Sequence, residues 1–98
     1  MISAEHLQSL RSLSATLAQR GVTSLSVFGS QISGGAGADS DIDVIVDYDP
    51  ESRFSLLDLV AVGRMIEEQI GIKADVMTRS GLHPLLRHDI ESHAVRVY

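Results

Sequence analysis

The chain contains no cysteine and no tryptophan, only two prolines, and 8 Lys and Arg residues against 13 Asp and Glu. Without cysteine, disulfides, thiolate nucleophiles and zinc-thiolate centres are excluded, which fits a reducing compartment. The formal net charge of −5 lacks the basic footprint that a long nucleic acid backbone demands, so direct nucleic acid binding is not expected. No uninterrupted apolar stretch approaches the ~20 residues of a membrane span, and polar Ser3, Glu5 and His6 follow Met1 at once. A cytoplasmic protein without membrane contact is the reading. His6, His83, His88 and His93 show no metal-ligand spacing within a helical turn or tight loop. Internal repeats and low-complexity tails are absent too. What remains is 98 residues with 44% hydrophobic content, enough for a single core and read as one domain over 1–98.

Periodicity divides the chain into alternating elements. Leu7, Leu10, Leu13 and Leu17 recur at helical spacing, with Ser3 as N-cap and Gly21 as C-terminal stop. Val22 to Phe28 reads as a strand that ends abruptly at Gly29. A glycine-rich loop over 29–40 leads to a second strand, Asp41 to Val46, with carboxylates on one face and Ile42, Val44 and Val46 on the other. Ser55 and Asp58 form a capping box before a second long helix carrying Leu56, Val60, Met65, Ile66 and Ile70, which Gly71 closes. Lys73 to Thr78 is a third strand, Pro84 opens a last helix through Leu85, Leu86 and Ile90, and Ala94 to Tyr98 form a short final strand. Strands interleaved with helices predict an α/β fold, a small mixed β-sheet flanked by helices.

The chemistry of the chain is concentrated in its carboxylates. Asp41 and Asp43 stand at i and i+2 of one strand, so both project from the same face. Asp75, on the third strand, converges on the same side of the sheet. Like charges held this close repel and raise each other's pKa, whereas a magnesium ion supplies the charge that keeps them ionised. With the Gly29-Ser30 turn, the three carboxylates suggest a site for metal and triphosphate. Taken singly, each has a plain structural reading: Asp41 as a turn residue, Asp43 as a solvated strand residue, Asp75 as an edge guard, Ser30 as a helix N-cap.

The stretch Val27-Phe28-Gly29-Ser30, followed after ten intervening residues by Asp41-Ile42-Asp43-Val44-Ile45-Val46 and then by Ala74-Asp75-Val76-Met77-Thr78, resembles the signature of minimal nucleotidyltransferases. These are small members of the DNA polymerase beta-like nucleotidyltransferase superfamily, and the resemblance implies that fold. It also implies roles. Gly29 and Ser30 would contact the phosphates of the nucleotide, and Asp41, Asp43 and Asp75 would be the catalytic, metal-ligating residues of a site for two Mg2+ ions. ATP would be the donor, in an in-line displacement at the α-phosphate. Minimal nucleotidyltransferases of this length resemble the antitoxin of HEPN/MNT toxin–antitoxin pairs, which transfers AMP to a tyrosine of the partner HEPN-type toxin. A protein acceptor suits a chain with little material for an enclosed acceptor pocket, and a homo- or hetero-oligomer fits the same reading.

One departure falls inside the motif. Ser33 stands where relatives often place arginine, and Gly35, Gly37 and Ala38 stand where polar, basic or proline residues are common. A loop with less positive charge leaves two alternatives beside the catalytic antitoxin: a binding-only antitoxin with a degenerate nucleotide site, and a small-molecule nucleotidyltransferase. Countercharge from elsewhere would come from Arg53, Arg64, Lys73 or Arg79, with Lys73 and Arg79 favoured because they flank the Asp75 strand.

Overall fold

The computed structural model describes residues 4–28 and 42–98. The Gly29, Ser30 and Asp41 assignments, and those of Ser3 and of the loop around Ser33, lie outside the described residues. Two short helices, α1 (Ala4–Arg11) and α2 (Ser14–Gln19), precede strands β1 (Val22–Phe28) and β2 (Ile42–Tyr48). Helix α3 (Leu56–Ile70), strand β3 (Ala74–Thr78), a 3-10 turn (Arg79–Gly81), helix α4 (Pro84–His93) and strand β4 (Val95–Arg96) follow. The sheet has the order β3-β2-β1-β4, with β2 parallel to β3 and the other neighbours antiparallel. This is the mixed α/β sheet expected from the alternation of elements.

Where β1 and β2 run side by side, their alternation generates two differently covered faces. Leu25 and Val27 pair with Val46 and Val44, and Val44 pairs in turn with Val76. That face packs against the helices, where Leu10, Leu17, Val62 and Ile66 have no exposed surface. Removing apolar side chains of this size from water contributes ~1.5–3 kcal/mol each. The opposite face carries Phe28 and Ile45, which cluster with Leu82 and with Ile90 of α4. Both faces of β2 are therefore covered, and Ile42 through Val46 are all buried. The expectation of one polar and one apolar face on this strand is corrected accordingly: Asp43 shares its side with Ile45, which needs a hydrophobic lid.

The N-terminal helix is also not continuous. The Leu7–Leu17 spacing runs through one helical pattern, but the structure breaks it at Ser12 and Leu13. Ser12 Oγ donates to the Ser9 carbonyl, and Leu13 N–H bonds three residues back to Leu10 at 3.0 Å. A serine hydroxyl that competes for backbone groups is a common cause of such a break. The break places both Leu10 and Leu17 at zero exposure on the same sheet face.

Helix α3 has the ends its sequence predicts. Ser55 accepts a hydrogen bond from Asp58 N–H, and the Asp58 carboxylate accepts from Ser55 N–H at 2.8 Å. At the other end, Gly71 takes the left-handed conformation at φ 70° and donates to the Glu67 carbonyl. α3 thus stops three residues before β3, and that short link brings β3 back parallel to β2.

Candidate active site

Parallel pairing of β2 with β3 places Asp43 directly beside Asp75, and antiparallel pairing of β1 with β2 places Phe28 on the other side of Asp43. The row across the sheet is therefore Phe28, Asp43, Asp75. Residues paired across neighbouring strands project from one face. Two of the three carboxylates singled out in the sequence are thereby brought together, and the third, Asp41, precedes the described part of β2. Among the described residues no group of three His, Cys, Asp or Glu side chains comes together to hold a metal ion. In the sequence, Gly29 follows Phe28 and Asp41 stands two residues before Asp43.

The two carboxylates differ in surroundings. Asp75 is exposed on the edge strand, while Asp43 retains 4% exposure. Among the described residues, no donor reaches Asp43 Oδ2. Burial, and secondarily the adjacent Asp75 charge, push the Asp43 carboxyl above its usual range. A buried anionic oxygen without a donor is costly, and the cost is removed by protonation or by a cation. Hard oxygen donors on neighbouring strands are the donor set that magnesium takes. The residues present thus fit a divalent metal at Asp43 and Asp75.

Further along the same face lies a third carboxylate, one that the sequence reading passed over. Asp47 accepts from Ser24 Oγ at 2.6 Å and from Arg79 Nε and Nη2 at 3.0 and 3.1 Å. Arg79 also pairs with Glu91 of α4 at 3.1 Å, and Glu91 pairs with Arg87 at 2.8 Å. The Arg79 hydrogen bonds hold the Asp47 carboxyl below its usual range despite partial burial. Arg79, one of four candidate countercharges for phosphate, has its guanidinium engaged by two carboxylates, Asp47 and Glu91. The Asp43–Ile45–Asp47 alternation was the available signal that Asp47 shares this face. Lys73 is exposed and immediately precedes β3, next to the carboxylate row.

Comparison with known proteins agrees with this geometry. The profile of the Nucleotidyltransferase domain family matches residues 5–97. A chain named as a protein adenylyltransferase in Methanocaldococcus jannaschii is 38% identical over 87 residues, spanning 89% of this chain and 91% of that one. The protein adenylyltransferase MntA of Thermococcus cleftensis is 37% identical over 62 residues, 63% of this chain and 61% of that one. A solved structure described as a minimal nucleotidyltransferase superposes with a TM-score of 0.71 at 29% identity, covering 96% of this chain and 95% of the other. On the sheet order, the paired strand carboxylates and these matches, the chain belongs to the nucleotidyltransferase domain family as a minimal nucleotidyltransferase.

Proposed function

We propose that this nucleotidyltransferase transfers AMP from ATP, with magnesium, to a tyrosine hydroxyl of a partner HEPN-type toxin and acts as its antitoxin. The observation that carries the metal-dependent part is the Asp43–Asp75 pair, with a buried Asp43 oxygen that no described donor reaches. The protein acceptor is supported by relatives named as protein adenylyltransferases. It is also supported by the position of Asp75, exposed on an edge strand where a large acceptor can approach.

Asp43, Asp75 and Asp41 would hold the metal, and Gly29 and Ser30 would receive the phosphates. Magnesium, when bound, supplies the positive charge that keeps the carboxylates ionised and offsets charge on the departing pyrophosphate. Asp75, which is exposed, would take the proton from the incoming hydroxyl as its oxygen bonds the α-phosphorus and the bond to pyrophosphate breaks. Asp43 is almost fully buried, on the strand face where Ile45 packs with Leu82 and with Ile90 of α4.

The test is transfer of label from ATP labelled at its α-phosphate, with Mg2+, to the protein encoded beside this chain. Wild type should label the partner on a tyrosine. Asp43→Asn should reduce labelling by at least ~100-fold, the scale of a lost electrostatic contribution to catalysis, while the chain stays folded. A partner left unlabelled by the wild type with every nucleoside triphosphate would remove the reading. Toxicity neutralised equally by wild type and by an unlabelling Asp43→Asn would instead assign neutralisation to contact alone.

A further inference from the structure

We propose that Glu67 is a positioning residue for the carboxylate pair, fixing the height of Asp75 beside Asp43 by clamping the peptide bond that starts β3. The inference rests on the metal-site reading above. Its basis is a single peptide unit held from both sides. The Lys73 carbonyl accepts from Ile42 N–H of β2 at 3.2 Å. The Ala74 N–H of that same peptide donates to Glu67 Oε2 of α3 at 3.0 Å. In a trans peptide the C=O and N–H point in opposite directions, so the carbonyl facing β2 turns the Ala74 N–H to the far side, toward the free edge of the sheet. Among the described residues no strand lies there to receive it, since β3 is the edge strand. Glu67 takes the place of the missing neighbour.

The position of this clamp is what ties it to the site. Ile42 precedes Asp43 and Ala74 precedes Asp75, so the gripped peptide lies one residue from each carboxylate. Glu67 is also the residue whose own carbonyl accepts from Gly71 N–H at the end of α3. Its backbone therefore terminates the helix while its side chain anchors the strand that follows. α3 is set in turn against the core through Val62 and Ile66. The lateral register of Asp75 against Asp43 is thereby referred to the packed core through a partly buried, charge-assisted hydrogen bond. Without that bond the start of β3 keeps backbone hydrogen bonds to β2 alone, and edge strands slip or fray most readily.

Three variants separate anchoring from charge. Glu67→Gln keeps a carbonyl acceptor at the same reach and removes the charge. Glu67→Leu keeps the stem and its packing but offers no acceptor, and Glu67→Ala removes both. Binding of Mn2+ in the presence of a non-hydrolysable ATP analogue, read from the loss of the free-ion resonance signal, reports on the site without turnover. Glu67→Gln should match wild type. Glu67→Leu and Glu67→Ala should weaken Mn2+ binding roughly 10- to 100-fold, the range for losing a group that orients metal ligands. Exchange of the Ala74 and Asp75 amide hydrogens should quicken in these two variants alone. Should Glu67→Ala unfold, the Gln and Leu pair decides the matter. Equal binding in Glu67→Leu and wild type, or equal losses in Gln and Leu, would overturn the positioning role. A wild type that binds no Mn2+ with nucleotide would sink the metal-site reading itself.

Discussion

Asp43 and Asp47 stand on one face of β2, four residues apart, and their surroundings push their carboxyls in opposite directions. Asp43 is buried beside another carboxylate and is raised, so its ionisation costs stability as pH rises from the ordinary carboxylate range through its folded value. Asp47 is lowered, chiefly by Arg79, so its contribution is present above the ordinary value near 3.8 and is lost as pH falls through its folded value. Their immediate neighbours do not tell the two apart, because each is an aspartate between apolar residues. The paired motif singled out Asp43, whereas the partner that settles Asp47 lies 32 residues downstream. Asp47→Asn should therefore destabilise the chain at neutral pH. The pair is only about two-thirds shielded from solvent, at 30% and 37% exposure, so screening limits the loss to ~1 kcal/mol, the upper end for such pairs. The gap from wild type should close at acid pH, below the lowered folded value, as Asp47 takes up its proton. Urea unfolding at both pH values checks this, and a gap that widens on acidification would reverse the assigned sign.

Elements were legible wherever a local device sets them. The capping box at Ser55 and Asp58, the proline that opens α4 and the β-branched run of β1 all mark structure that forms where they stand. The break between α1 and α2 was not legible, since the leucine spacing continues through it and only the fit of Leu10 and Leu17 to the sheet shows why it is needed. The order of the strands was not legible either, because it depends on which edges meet in space. Two glycines, both read as helix stops, turn out to carry different demands. Gly71 has φ 70°, and a Cβ there would meet nothing within 4 Å. Gly21 has φ 101°, and a Cβ would lie 2.6 Å from Ser52 Oγ and 3.0 Å from Ser52 Cβ. Gly21 also accepts at its carbonyl from Asp49 N–H at 2.8 Å, which pins the segment after β2 against the start of β1. Gly71→Ala should cost ~1 kcal/mol for the left-handed backbone alone. Gly21→Ala should cost more, ~2–3 kcal/mol, because φ is less accessible to an alanine and Ser52 must move as well. Thermal unfolding of the two variants gives the order, and equal losses would show that the Ser52 contact yields freely.

For the whole molecule, the sheet serves as a frame that forces negative charge together at one end of β2 and β3 while satisfying it elsewhere. The Asp47–Arg79–Glu91–Arg87 chain of ion pairs links β2, the turn after β3 and α4, and there each carboxylate has a cationic partner. At Asp43 and Asp75, among the described residues, no ion pair forms, although the chain carries a net charge of −5 that already disfavours further anions. The fold thus stores an electrostatic cost at the candidate site, and a ligand that removes it must stabilise the native state over the unfolded one. The magnesium–ATP complex, bound as one ligand at ~100 times its dissociation constant, adds about 2.7 kcal/mol by mass action. For a chain of this length that corresponds to a rise in Tm on the order of 10 °C. ATP without metal should give little or no rise, because a triphosphate brings more negative charge to an uncompensated pair. Asp43→Asn should melt at or slightly above the wild-type temperature in the absence of ligand, since the buried charge is gone. It should lose most of the rise with magnesium and ATP. Scanning calorimetry of both chains, with metal alone, nucleotide alone and the two together, reads all of these at once. A well-folded wild type with no rise under the combined condition would show that the charge at Asp43 and Asp75 is not balanced by a metal–nucleotide complex.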